Sequence, residues 1–171
     1  MTVLARQRKL QQAEPAITAA GAEIYLISIR PVYAYQIFRE KKKFELRRNI
    51  AGRIPEGAVM VVYASGNVRA IIGEFTVGRV IEGTAEEVWR KVMQHDDAGV
   101  GGDAWHYIKG ASKAMALEVR NPVLYPRRVV LEEIRRIIPG WNPPLSYKLL
   151  REGEPVYELI VRRLRRLAGL E

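Results

Sequence analysis

The stretch "ISIRPVYAYQIFREKKKFELRR", Ile27 to Arg48, decides the fold. It opens on the end of a β-rich run, "EIYLISI" (Glu23 to Ile29), suited to a buried strand. Arg30-Pro31 then turns the chain; proline is favoured at a first helical position because its missing N–H is not needed there. "VYAYQIFRE" places Ala34, Ile37, Phe38 and Lys41 on one helical face. Within the charged remainder, "KFELR" alternates: Phe44 and Leu46 point one way, Lys43, Glu45 and Arg47 the other. The pattern predicts a half-buried strand with a charged outer face, on which Glu45 and Arg47 lie roughly 6.6 Å apart. Lys42 precedes the strand and joins that face only if the turn re-aims it.

Charge concentrates here. From Arg39 to Arg53 there are seven bases and two acids, net +5, more than half of the whole chain's +9. Such an excess favours polyanionic partners. Arginine's planar fork suits phosphate and guanine edges, and lysine offers a mobile point charge. The plainer alternative is a surface ion-pair ladder contributing about 0–1 kcal/mol per pair.

Outward from this segment, 171 residues at 48% hydrophobic content allow one domain with terminal extensions and a sizeable core. We expect an N-terminal extension over 1–22, a body over 23–150, and a C-terminal amphipathic helix over 151–171 packed on it. "GAVMVVYAS" and "RAIIGEFTVGRVIEG" read as strands, with Gly73 and Gly78 admitting bends. Thr84 and Glu87 form a capping-box pattern before a helix that directs Val88, Trp89, Val92 and Met93 inward. "KAMALEV" is a further strand, and "RRVVLEEIRRII" passes from strand into helix. In the last helix Val156, Leu159, Ile160, Leu164 and Leu167 should face inward, and Arg162, Arg163, Arg165 and Arg166 mainly outward. Short strands decorated by helices give an α+β class around a small, barrel-like sheet.

No cysteine is present, which excludes disulfides, thiolate nucleophiles and cysteine-based metal sites. His95, Asp96, Asp97, Asp103 and His106 fall close together but match no recognised ligand spacing, so no metal and no cofactor are expected. "GVGG" is not a phosphate-binding P-loop, since no G-K-[ST] follows. No apolar run approaches the ~20 residues of a membrane helix, and the start lacks a signal-peptide core. A cytoplasmic location without a membrane partner is the expectation.

The ordered set of segments resembles the ASCH family, a branch of the PUA-like superfamily. That family shows a strand, S-I-[KR]-P, a helix, and then G-x-K-x-x-E-x-R. Lys42, Glu45 and Arg47 fill the K, E and R places, and Glu40 stands where the family has glycine. "VVYASGNVRAIIGEFTVGRVIEGTAEEVW", "WHYIKGASKAMALEV" and "WNPPLSYKLL" continue the likeness over roughly residues 24 to 150. The resemblance implies a PUA-like β-barrel with an RNA-binding cleft beside the charged motif. It also implies a lysine-dependent alternative, because one branch hydrolyses acetylated cytidine with the motif lysine; that branch has threonine where Glu45 stands.

The expected function is therefore RNA binding in a basic cleft formed by Ser28, Arg30, Lys42, Glu45, Arg47, Arg48 and Ser65. The alternative is a hydrolase of nucleic acid or a modified nucleoside, with Lys42 as catalytic residue and Glu45 as its partner. Tyr33, Tyr35, Tyr63 and Tyr107 are candidate stacking surfaces, and Ser146 and Tyr147 a candidate cleft wall. The C-terminal arginines read either as a second nucleic-acid contact or as a solvated helix face. A protein partner is compatible with all of this, and oligomeric state is left open.

Overall fold

A computed structural model describes residues 2–48 and 53–171; the end of the basic segment, 49–52, lies outside them. The class is α+β, as expected. The helices are α1 (Val3–Gln11), α2 (Pro31–Phe38), α3 (Ala85–Met93), α4 (Gly102–Ile108), α5 (Leu131–Ile137) and α6 (Arg162–Leu167). The strands are β1 (Ile24–Ile29), β2 (Phe44–Arg48), β3 (Val59–Ala64), β4 (Ala70–Gly83), β5 (Ala114–Val130) and β6 (Tyr147–Leu149), in sheet order β2-β5-β4-β3-β1-β6. Two compact units divide the chain: Met1–Pro31 with Val59–Glu74 and Val123–Glu171, and Val32–Ala58 with Phe75–Pro122.

In the first unit β1 pairs in parallel with β3, from Ile24 opposite Val59 to Ile29 opposite Ala64. Both strands are nearly continuously apolar and buried, as parallel strands covered on both faces must be. β6 lies antiparallel on the other side of β1. Ala16 joins this unit through its backbone: its N–H donates to the Leu150 carbonyl at 2.9 Å and its carbonyl accepts from Ile24 N–H at 3.0 Å. α1, before it, buries no residue.

The C-terminal helix departs from the sequence expectation. Val156, Ile160 and Leu164 are buried as expected, but Leu159 and Leu167 are exposed, and Tyr157, Val161 and Arg165 are buried instead. The cause is a π-helical segment, Tyr157–Val161, ahead of α6. A π turn carries an extra residue, which rotates the following helix and moves its inward face by one position. Arg165 therefore turns into the core. Its Nε donates to Glu74 Oε1 at 2.7 Å, Tyr125 donates to the same oxygen at 2.9 Å, and Arg165 Nη1 reaches Glu171 at 2.8 Å. Burial, and then the Glu74 carboxylate, push the Tyr125 hydroxyl well above its ordinary pKa.

In the second unit β2 pairs antiparallel with β5, Phe44 opposite Glu118 through Arg48 opposite Ala114. Phe44 and Leu46 pack with Val88, Val92, Ile108 and Ala116, and full burial of each contributes roughly 1.5–3 kcal/mol. Thr84 Oγ1 caps α3 by accepting from Glu87 N–H at 3.2 Å. Val88 and Val92 face inward as expected and Trp89 is partly buried, but Met93 ends the helix 40% exposed. β2 is the larger correction. Its Glu45 and Arg47 are only 6% and 7% exposed, so four successive positions are buried, the face expected to be charged and solvated is enclosed, and only the terminal Arg48 is exposed.

Glu74→Ala would strand Arg165 in the first unit's interior. Removing one partner of a buried pair costs about 3–5 kcal/mol, and urea denaturation should show a loss of that size. Arg127→Ala, which breaks a partly exposed pair with Glu133, should cost no more than about 1 kcal/mol.

Candidate functional site

Chain geometry delivers Lys42 to Glu45. Both the Lys41 and Lys42 N–H groups donate to the Gln36 carbonyl, at 2.9 and 3.1 Å, closing the end of α2 into a tight turn. Glu40 within it takes φ +58°, the left-handed conformation that glycine adopts freely and other residues adopt at a cost of roughly 1–2 kcal/mol. The turn that glycine would form is thus made by glutamate. From it Lys42 Nζ comes within 3.8 Å of Glu45 Oε2, and Arg47 Nη2 lies 3.1 Å from Glu45 Oε1. Glu45 Oε2 is buried and has no hydrogen bond among the described residues.

The opposing wall is the glycine-rich loop before α4. Lys43 N–H donates to the Ala98 carbonyl at 2.9 Å. Gly99 has φ +67°, and a Cβ on it would fall 1.7 Å from the Lys41 carbonyl oxygen and 3.0 Å from Lys42 Cα. Only glycine permits that approach. Between loop and turn is a cavity of about 180 Å³ lined by Tyr33, Gln36, Lys42, Gly99 to Gly101, Asp103 and Ala104. The Lys42 ammonium stands 5.3 Å from the Tyr33 ring centroid, within cation–π range. The Tyr33 hydroxyl donates to Asp103 Oδ2, and this bond holds the Asp103 carboxyl below its usual range.

Of the residues expected to form one cleft, Lys42, Glu45 and Arg47 come together in the second unit. Arg48, exposed beside them in sequence, donates to the Tyr107 carbonyl at 3.1 Å. Ser28, Arg30 and Ser65 belong to the first unit. There Ser28 Oγ donates to the Pro144 carbonyl at 2.6 Å, its N–H donates to the Ser146 carbonyl at 2.9 Å, and Ser65 Oγ donates to the Ile29 carbonyl at 3.3 Å. Arg30 is exposed. Tyr33 is the cavity tyrosine, whereas Tyr63 is a core residue edge-on to Trp141. Sequence reasoning missed Gly99 and the Asp103 contact. The only available signal was the "GVGG" run, which carries no ligand motif by itself. Among the described residues no group of three histidine or acidic side chains is placed to hold a metal ion, and no helix is long and apolar enough to cross a membrane.

No family model matches the chain, and no curated protein matches it. Solved structures do. The crystal structure of ASCH from Zymomonas mobilis is similar with a TM-score of 0.68 and 25% identity, over 81% of this chain and 94% of that one. A serine-to-alanine mutant of the same protein gives a TM-score of 0.68 at 24% identity, over 82% and 96%. A Pseudomonas putida protein reaches a TM-score of 0.50 at 14% identity, over 83% and 99%.

Gly99→Ala should destabilise the protein by about 2 kcal/mol or more, combining left-handed strain with a backbone clash, as read by thermal unfolding. Glu40→Gly should leave the turn intact and be neutral or stabilising by up to about 1 kcal/mol. The Asp103 carboxyl has a depressed pKa in the folded state. Its contribution to closing the loop is therefore present above the unfolded value of about 3.9 and is lost as pH falls through the folded one. NMR shifts of Tyr33 and Gly99 should show a step below about pH 4 that is absent in Asp103→Asn.

Proposed function

Taking the ASCH-domain fold of this chain as the premise, we propose that it is a nucleic-acid-binding protein whose Lys42 cavity receives one nucleotide unit of an RNA. The observation that carries this reading is the state of Lys42. It is 5% exposed and lines a cavity. Among the described residues its ammonium makes an ion pair at 3.8 Å, longer than a hydrogen bond, and meets an aromatic face at 5.3 Å. Its N–H donors are therefore available to a phosphate or base oxygen entering the cavity. The Tyr33 ring supplies a face of the kind on which bases stack, and the chain's +9 charge raises encounter with a polyanion. A cavity of about 180 Å³ suits a base or a phosphate and excludes a folded helix. In this reading the 23–150 region carries recognition, with 1–22 and 151–171 as additions to it.

One observation favours a second reading, a hydrolase acting on nucleic acid or a modified nucleoside. Lys42 lines the cavity, and the buried Glu45 carboxylate lies 3.8 Å from its amine, an arrangement of the kind used by a lysine acting on a bound substrate with a carboxylate partner.

The deciding comparison is wild type beside Lys42→Met, an unbranched variant that keeps most of the apolar stem and removes the charge. Salt-titrated binding to a panel of single-stranded and structured RNAs should weaken about tenfold in the variant, and the slope of log K against log salt should fall by about 0.7, the share of one single-strand phosphate. Equal binding by both proteins would remove Lys42 from the site. Turnover of RNA or acylated nucleosides that disappears in Lys42→Met would select the hydrolase reading.

A further inference from the structure

The second unit holds another cationic arrangement, on β4 and β5 and separate from the residues lining the Lys42 cavity. Glu118 on β5 gathers two arginines. Arg120 Nε and Nη2 both lie 2.7 Å from Glu118 Oε1, and Arg79 places its Nε 3.4 Å from Oε2 and its backbone N 3.4 Å from Oε1. Arg79 Nη2 also lies 2.5 Å from His95 Nε2. A guanidinium can only donate, so that ring nitrogen is the acceptor. The His95 ring is fixed in turn against Phe44, with centroids 4.8 Å apart.

Gly78 makes the arrangement possible. A Cβ there would fall 2.2 Å from Glu118 Oε1 and 2.5 Å from Arg120 Nε. The missing side chain leaves a bare patch of β4 on which the Glu118–Arg120 pair lies. Sequence reading assigned this glycine to a bend; its backbone needs no left-handed conformation, and the room it leaves is what the neighbours use.

We infer that Arg79 and Arg120, held over Gly78 by Glu118, form a second anion site that takes a phosphodiester of a bound nucleic acid. One carboxylate neutralises one of the two guanidinium charges, leaving a net positive platform. Burial raises the Glu118 pKa, but the hydrogen bonds from Arg120 and Arg79 outweigh it and keep the group ionised. The arginines remain 50% and 55% exposed, with Glu118 at 18%. Their positions are thus set from beneath while their outer N–H groups face solvent. Two long side chains already ordered lose less freedom on binding than free ones, and paired guanidinium forks match phosphate oxygens. The site rests on the nucleic-acid reading for its ligand but not on the Lys42 cavity for its geometry.

The test compares wild type, Arg79→Ala/Arg120→Ala, Gly78→Ala and Lys42→Met in salt-titrated binding to a single-stranded oligoribonucleotide. In parallel, the arginine Nε–Hε signals of wild type are followed by NMR during titration with the same oligonucleotide and with inorganic phosphate. The double variant should bind about tenfold more weakly, with a salt slope lower by about 0.7. Gly78→Ala keeps every charge and meets only flexible side-chain ends, so it should fold normally and yet bind several-fold more weakly. Oligonucleotide should shift the Arg79 and Arg120 signals at concentrations where phosphate alone does not. Wild-type affinity and slope in the double variant, beside a loss in Lys42→Met, would overturn this inference and leave the proposed function standing. The reverse pattern would support it and move recognition away from Lys42. Wild-type binding by Gly78→Ala beside a weakened double variant would overturn the ordered site in favour of diffuse charge. Arginine signals unmoved by either probe would overturn it outright.

Discussion

The second unit depends on keeping charged side chains inside a β-strand. β2 has apolar neighbours on one face, where Phe44 and Leu46 join the core, and on the other it buries Glu45 and Arg47. Removing such groups from water is costly unless they are paired. Glu45 answers Arg47 at 3.1 Å and Lys42 at 3.8 Å, so the carboxylate is the common partner of both cations. Arg47 sits on the same strand two residues on. Lys42 requires a turn and a close loop approach, and the surrounding structure is arranged to supply them.

Two backbone positions carry that requirement, and they meet it differently. Glu40 accepts a left-handed conformation although it has a side chain, and the Gln36 carbonyl stabilises the turn by receiving two N–H groups. Gly99 has no such latitude, because its Cα approaches the Lys41 carbonyl too closely for any Cβ. Strain is tolerated where solvent gives the side chain room and avoided where backbone meets backbone. The outcome is an ammonium group at a cavity wall with a ring face on one side and a carboxylate on the other.

The first unit meets a related problem by enclosing its charge. Its π-helical segment turns Arg165 into the interior, where Glu74 and Glu171 take up its donors and Tyr125 donates to the same Glu74 carboxylate. Here the buried charge is matched by neighbouring acids and hydrogen bonds, and its role is structural. The contrast between Arg165 and Lys42 is informative. Both are nearly inaccessible basic residues; Arg165 is enclosed by acids, whereas Lys42 lines a cavity. A basic residue count treats them alike.

Much of the framework was legible in the residues. The strand, Pro31 turn and helix follow from local preferences, as does the Thr84 cap, because each depends on atoms within a few positions of one another. The K-x-x-E-x-R spacing was also visible, and with it the candidate trio. What covers each face was not. Alternation in "KFELR" reports that the strand has two faces, and it carries no information on whether the second is wet. The Lys42 wall is completed by Gly99 and Asp103, more than fifty positions away, and the arginine platform joins Gly78 to Glu118 and Arg120. The direction of Arg165 was set by one extra residue in a helical turn, which an assumed 3.6-residue period cannot register. Local chemistry determined the elements and their charges. Tertiary contact decided which charges are buried, which are matched and which face a cavity, because burial is a property of neighbours distant in the chain.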